Sequence, residues 1–292
     1  MSSKGRDEAI AWVDGRIGRA SEARVPLLDH GFLFGDGVFE GIRVTPAGIF
    51  RFHDHLKRLE TAARAVGIEV PGGFARVADV ARETTRAWGA RDGYLRLIVS
   101  RGVGALGIDP ATCPEPAIVC IAAGPAAAPE AGVALVTSSL RRPASDALDP
   151  RVKSMNYLNN VLAKREAGLR GADDALVLNA RGLIAEASAT NVFAISGDRL
   201  ETPPPSDGAL EGLTRRTILE LAPELGLEPR ERSLGRFDLY AADAVFLTGS
   251  RAGVIPVASL DGAPISQAAS GQVRAMQRAF EKRAVELSVS VD

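Results

Sequence analysis

Residues 175–202 read ALVLNARGLIAEASATNVFAISGDRLET. Four short segments stand here: Ala175–Leu178, Leu183–Ala185, Asn191–Ile195 and Arg199–Thr202. Asn-Ala-Arg-Gly and Ser-Gly-Asp turns punctuate them. Runs this short, rich in β-branched residues and closed by Gly and Asn, predict strands rather than helices. No helical pattern separates them, so the stretch predicts a meander and not a βαβ unit. Glu186 follows the second predicted strand and precedes Ala187-Ser188-Ala189-Thr190-Asn191, where small side chains let a flat ring approach the backbone.

Working outward, a strand over Gly132–Thr137 and a helix over Met155–Gly168 precede the meander. The helical spacing places Leu158, Val161, Leu162 and Arg165 on one face. Helix Leu213–Leu225, strand Ala244–Leu247 and helix Ser270–Leu287 follow it. In the first half, Asp14-Gly15 predicts a hairpin turn between Ala11–Val13 and Arg16–Gly18. Strands are predicted at Gly37–Val44, Gly48–Phe52, Tyr94–Arg101 and Ala117–Ala122. Helices are predicted at His53–Val66, stopped by Gly67, and at Phe74–Trp88. The Pro/Ala segment from Gly124 lacks periodicity and reads as an interdomain linker. The expected domains are 1–123, a linker 124–131, and 132–292.

Composition excludes several classes. Of 292 residues, 46% are apolar and 24% charged, and the formal net charge is −1. That balance gives no electrostatic reason for a nucleic-acid or anionic-membrane partner. No apolar run approaches the roughly 20 residues that span a bilayer. Cys113 and Cys120 make neither a disulfide framework nor a metal site. A cytoplasmic location is expected. Only five of the 35 basic residues are lysines. A lysine kept in an arginine-rich chain suits a place where arginine cannot serve, and imine formation is one.

Several segments bear groups that a pyridoxal-phosphate (PLP) site needs. These are an amine for the imine, a carboxylate for the pyridine nitrogen, and a cradle of N–H, hydroxyl and arginine donors for the phosphate. Lys153 lies in Asp149-Pro-Arg-Val-Lys-Ser-Met-Asn-Tyr157. Tyr157, four residues on, is predicted to share its helix face. Thr214, in Gly208-Ala-Leu-Glu-Gly-Leu-Thr-Arg215, is a candidate cap for the helix that follows. Thr248-Gly-Ser-Arg251 ends an apolar strand and is a second candidate anion nest. None of these decides the matter singly.

Six segments in order resemble the class IV aminotransferases. They are His30-Gly-Phe-Leu-Phe-Gly-Asp-Gly-Val-Phe-Glu-Gly-Ile-Arg43, Phe52-His-Asp-His-Leu-Lys-Arg58-Leu and Val152-Lys-Ser-Met-Asn-Tyr-Leu-Asn-Asn-Val-Leu-Ala-Lys164. Glu186-Ala-Ser-Ala-Thr-Asn-Val-Phe193, Glu211-Gly-Leu-Thr-Arg215 and Phe246-Leu-Thr-Gly-Ser250 complete the set. The resemblance implies a mixed α/β (α+β) chain of PLP fold type IV, with a small N-terminal α/β domain and a larger C-terminal pseudo-barrel domain. It implies a homodimer, with the active site between the domains and the partner's N-terminal domain contributing to it.

The resemblance also implies residue roles. Lys153 would carry pyridoxal 5'-phosphate and move the substrate proton. Glu186 would pair with the ring nitrogen and Tyr157 with the ring hydroxyl. Arg58, Leu213, Thr214 and Ser250 would hold the phosphate. Phe34, Arg43, Tyr94, Arg96, Arg251 and Ala252 would line the substrate pocket.

Within the family, Phe39-Glu-Gly-Ile-Arg43, Tyr94-Leu-Arg96 and Gly104-Ala-Leu-Gly-Ile-Asp-Pro110 look most like branched-chain enzymes, which exchange amino groups between branched-chain L-amino acids and 2-oxoglutarate. The chain departs from their pattern at Phe34, where a tyrosine is usual, at Arg251, where a small residue is usual, and at Gly253, where a glutamate is usual. A D-amino-acid or (R)-amine transaminase is the alternative, and an aminodeoxychorismate lyase the next. The absence of Arg-x-His after Ser100-Arg-Gly counts against the bacillar D-amino-acid type. A catalytically dead binding protein would not need Lys153, Glu186 and Arg58 together.

Overall fold

A computed structural model describes residues 9–70, 72–89, 92–124 and 132–291. They fall into two compact units. The first lies within Met1–Ala126, Val152–Asn156 and Ala284–Asp292, and the second within Ala127–Arg151 and Tyr157–Arg283. The domain expectation needs correction here: the Lys153 segment and the C-terminal end belong with the first unit. The expected linker, Gly124 apart, lies outside the described residues.

Seven strands of the first unit form one antiparallel sheet. Their order is Ser288–Val289, Gly48–Phe50, Gly37–Thr45, Gly93–Ser100, Ala117–Ala123, Ile10–Val13 and Arg16–Arg19. The Asp14-Gly15 turn forms as expected, both residues having positive φ (48° and 77°), the backbone that a two-residue hairpin demands. Helices Phe52–Ala65 and Gly73–Trp88 pack against the sheet through Leu59, Ala62, Ala63, Val77, Val80 and Ala81, which meet Val38, Ile42, Leu95 and Leu97 in one core.

Two joints tie the later chain segments to this sheet. Gly48–Phe50 is short and meets Gly37–Thr45 only at Val44 and Thr45, so the 37–39 end of that strand is left open. The Lys153 segment takes that place: Phe39 N donates to Lys153 O (2.9 Å), Met155 N donates to Gly37 O (2.8 Å), and Ser154 bridges Val38.

The second joint is at Gly48, which has φ 127°; a Cβ there would lie 2.0 Å from Val289 O. Gly48→Ala is therefore expected to pry off the C-terminal strand and destabilise the protein by more than about 1 kcal/mol. A lowered denaturant midpoint would show it, and an unchanged midpoint would contradict it.

The second unit is built on a larger sheet. Its path runs Glu228–Glu231, Arg199–Thr202, Asn191–Ser196, Ala244–Gly249, Gly253–Leu260, Val133–Arg141, Asp174–Leu178 and Ile184–Ala187, with Ala263–Pro264 paired to Gly253–Leu260. The predicted meander is overturned. Ile184–Ala187 is one edge of the path, while Asn191–Ser196, its successor in the chain, lies next but one to the other edge. Residues 188–190 span little more than about 10 Å. The sheet must therefore curl until these strands come close, and Ala187 N donates to Thr190 O (2.8 Å) across the turn. Val133, Leu135, Leu176, Ile184, Val192, Leu247 and Val257, drawn from strands all round the curl, share one core.

Local boundaries shift for physical reasons. The helix expected from Met155 begins at Leu158, because the preceding residues are committed to the first unit's sheet. The face that carries Leu158 and Val161 is turned outward, the two being 68% and 57% exposed, whereas Ala163 and Ala167 pack on Val136, Ala175 and Val177. The second helix ends at Leu221, before a 3-10 turn Pro223–Leu225. Short helices His30–Phe34 and Arg236–Ala241 and strands Glu228–Glu231, Gly253–Leu260, Ala263–Pro264 and Ser288–Val289 carry too little periodicity to be read from sequence. No described helix is long and apolar enough to cross a membrane.

Candidate active site

In the first unit, alternation along Gly37–Thr45 sends Phe39, Gly41 and Arg43 to one face of the sheet and Val38, Glu40 and Ile42 to the other. On the first of these faces Lys153 Nζ stands 4.7 Å from the centre of the Phe39 ring. The Arg96 guanidinium lies over the same ring at 4.4 Å, and 5.9 Å from the ring of Tyr94. Register pairs Gly41 with Arg96 and Arg43 with Tyr94. Lys153, Tyr94 and Arg96 are thus brought together, with Arg43 alongside, 4.0 Å from the Asp92 carboxylate.

The Tyr94 hydroxyl overlies Gly41, where a Cβ would sit 1.8 Å from its oxygen. Gly41→Ala is expected to swing Tyr94 away and raise the KM for amino donors several-fold, with the fold intact. An unchanged KM would contradict this placement of the phenol.

On the helix-covered face, Glu40 is buried within an apolar strand. Arg58 grips it with a fork, Nε donating to Oε1 and Nη2 to Oε2, both at 2.7 Å. His55 Nδ1 meets Oε2 at 2.7 Å. Burial alone would push the Glu40 carboxyl up, but the Arg58 guanidinium and the His55 ring outweigh it and hold it well below the usual carboxylate range. Burial likewise pushes His55 down, against the pull of Glu40. With Nδ1–H directed at the carboxylate, His55 Nε2 is buried without a partner, which suits a neutral ring. Glu40 fixes the plane of the Arg58 guanidinium.

Phe34 belongs to a helix followed by Gly35, whose carbonyl accepts from Asn156 Nδ2 (3.0 Å), three residues after Lys153. Phe34 ends this helix, His30–Phe34, and meets the buried His30 edge-on at 4.9 Å. His30 Nε2 is 2.8 Å from Ala105 O.

In the second unit, Glu186 lies within the strand Ile184–Ala187 rather than after it, and it is buried. Arg142 Nη2 donates to its Oε1 (2.7 Å), while Asn191 Nδ2 and the Leu210 backbone N–H donate to Oε2 (3.1 Å each). Thr214 is not the cap expected of it. Gly212 holds that position without a side-chain bond, and Thr214 falls inside the first turn of Leu213–Leu221. A Cβ on Gly212 would lie 2.1 Å from Asn191 Oδ1, so this approach requires glycine. The hydroxyls of Thr190, Thr214 and Thr248 are buried without partners.

Ser250, Arg251 and Ala252 form the turn of a hairpin closed by Gly249 and Gly253. Arg251 is exposed, and Ala252 packs on the core inside the curl. Gly253 has φ 65°, and a Cβ there would press on Phe280 at 3.2 Å, a local reason for glycine rather than glutamate. Tyr157 holds the N-cap position of the helix Leu158–Leu169 without a side-chain capping bond. It shares no helix face with Lys153, because residues 153–157 are not helical.

A family model described as amino-transferase class IV matches residues 37–260. The chain belongs to the class IV aminotransferases. This aminotransferase is 41% identical over 263 residues to the putative branched-chain-amino-acid aminotransferase of Methanocaldococcus jannaschii, covering 90% of this chain and 91% of that protein. The crystal structure of the Escherichia coli branched-chain amino acid aminotransferase superposes with a TM-score of 0.89 at 29% identity, covering 97% of this chain and 99% of that one. The branched-chain enzyme of Thermobaculum terrenum, in its PLP-bound holo-form, gives a TM-score of 0.82 at 30% identity, covering 96% and 94%.

Pyridoxal 5'-phosphate is the cofactor of this family, and the residues fit it. Thr214 and Thr248 offer unspent buried hydroxyls, and the first turn of Leu213–Leu221 offers backbone N–H groups for an anion. Glu186 is an oriented carboxylate suited to a pyridinium nitrogen.

Sequence reasoning missed Arg142, Asn191 and the Glu40–His55 pair. Glu40 had a signal, a carboxylate in the middle of the apolar GVFEGIRV. Arg142 had none beyond its place beside Pro143.

Proposed function

We propose that this aminotransferase moves amino groups between branched-chain L-amino acids and 2-oxoglutarate. The observation that carries the reading is the shared Phe39 ring, with the Lys153 amine at 4.7 Å and the Arg96 guanidinium at 4.4 Å. An aliphatic side chain suits the ring, and a substrate carboxylate suits the guanidinium. One pocket then serves leucine and glutamate in turn. The branched-chain names of the relatives above support the same reading.

Bound PLP supplies an electron sink for the charge that develops at the substrate Cα. Lys153 would hold the cofactor through its amine and would take up and return the proton at the substrate Cα. Glu186 would hold the ring nitrogen, and Tyr157 would bond the ring hydroxyl. Arg58, the Leu213 and Thr214 amides and Ser250 bind the phosphate. Arg43, Tyr94 and Arg96 would orient the substrate, and Phe34, Arg251 and Ala252 are the further substrate-binding candidates on this reading.

The chain acts as a homodimer in the cytoplasm on this reading. Exposed apolar side chains in the first unit, Leu106 (75%) and Ile108 (81%) among them, support a partner copy, and Cys113 and Cys120 are free.

Turnover with 2-oxoglutarate tests the substrate. Glutamate should form from L-leucine, L-valine and L-isoleucine. Turnover confined to D-alanine or (R)-1-phenylethylamine would overturn the reading, and pyruvate release from aminodeoxychorismate would replace it with a lyase.

A further inference from the structure

Glu186 is held more firmly than orientation alone requires. Asn191 Nδ2 and the Leu210 N–H are neutral donors, and both bond Oε2. Arg142 adds a full positive charge at Oε1, 2.7 Å away. Arg142 is itself buried, and its Nε donates to Gly208 O at 3.1 Å, which fixes the guanidinium. Glu186 is buried, as are its strand neighbours Ile184, Ala185 and Ala187. A carboxyl group in such surroundings tends to take up a proton unless a cation keeps it ionised.

We propose that Arg142 is a positioning residue that acts through Glu186. It keeps Glu186 anionic, so that the proton between the carboxylate and the cofactor's pyridine nitrogen resides on the nitrogen. This deepens the reading above and rests on its placement of Glu186 opposite that nitrogen. With the charge removed, the Glu186 carboxyl can hold the proton itself. The nitrogen then becomes a neutral acceptor, and the ring draws electrons less strongly. The two neutral donors would still orient the carboxylate, so geometry and charge make separable contributions.

The test is the 15N NMR signal of the holoenzyme loaded with PLP labelled at its ring nitrogen, recorded near neutral pH. Native protein is expected to show a protonated nitrogen, and E186Q an unprotonated one. R142Q keeps a donor but loses the charge. It is expected to lose the nitrogen's proton and to drop kcat by about ten-fold or more, with a smaller change in KM. R142K restores a charge without the fork and is expected to keep the proton.

A protonated nitrogen in R142Q, or an unprotonated one in R142K, overturns the proposal. R142M, which fills the volume without charge, is read in the same way if R142Q does not fold. If native protein takes up no PLP, or E186Q leaves the nitrogen signal unchanged, the placement of Glu186 fails and the proposal fails with it.

Discussion

Lys153→Ala is expected to lower kcat for transamination by at least about 10³-fold, at the upper end of what a positioned base contributes, and to abolish the long-wavelength absorption of lysine-bound PLP. The amine serves twice in the proposed reaction, as the cofactor's covalent anchor and as the base at the substrate Cα. Alanine can do neither, and arginine at this position cannot replace it, because a guanidinium stays protonated and forms no imine.

The variant should fold normally. The bonds that seat the segment, Phe39 N to Lys153 O and Met155 N to Gly37 O, are both backbone bonds. The side chain's contact with the Phe39 ring is worth only about 0.5–1 kcal/mol. Loss of activity with an unchanged unfolding midpoint is therefore the expected pair of results. Retained turnover would remove Lys153 from the chemistry. A collapsed midpoint would make the residue structural.

Glu40→Ala carries the second large effect, and here stability falls first. It leaves the Arg58 guanidinium and the buried His55 ring without their shared carboxylate. Breaking a buried ion pair from one side typically costs about 3–5 kcal/mol. PLP affinity should fall as well, because Arg58 loses the fork that fixes its plane.

The pH dependence has a definite sign. The folded Glu40 carboxyl titrates below its unfolded value, so its stabilisation is fully present above the ordinary carboxyl range near pH 4.3. It declines below that range and is lost only as pH falls through the still lower folded value. His55, pushed below its ordinary 6.5 by burial, acts in the same direction from about pH 6.5 downward. The deficit of Glu40→Ala measured by denaturant unfolding should therefore be largest near neutrality and shrink in acid. A deficit that grows as pH falls from 6 to 3 would contradict the assignment of charge.

The chemistry-bearing residues were easier to read than the surfaces they sit on. Lys153 and Glu186 stand in segments whose composition marks them. Helical spacing does not join Tyr157 to Lys153, because the intervening residues pair with Gly37–Phe39, a partnership more than a hundred positions away in sequence. The same long-range pairing returned the Lys153 segment to the first unit, against a division drawn by position along the chain.

The curl of the second sheet was equally hidden. Strand periodicity shows which residues face inward, but not that Val133–Arg141 pairs in parallel with both Gly253–Leu260 and Asp174–Leu178. The outward face of Leu158–Leu169 shows a limit of the pattern itself: the exposed leucines and valine are spaced as a core stripe would be, while the buried contacts are made by small alanines.

The most direct measurement is the half-reaction of the PLP form, followed by loss of its absorption band in single turnovers. L-leucine, L-valine, L-glutamate, D-alanine, D-glutamate and (R)-1-phenylethylamine should be compared in parallel. Fast conversion by the L-branched-chain acids and L-glutamate, with the D-acids and the (R)-amine slow, is the predicted result. Fast conversion by a D-amino acid or the (R)-amine, with L-leucine inert, would contradict the substrate assignment.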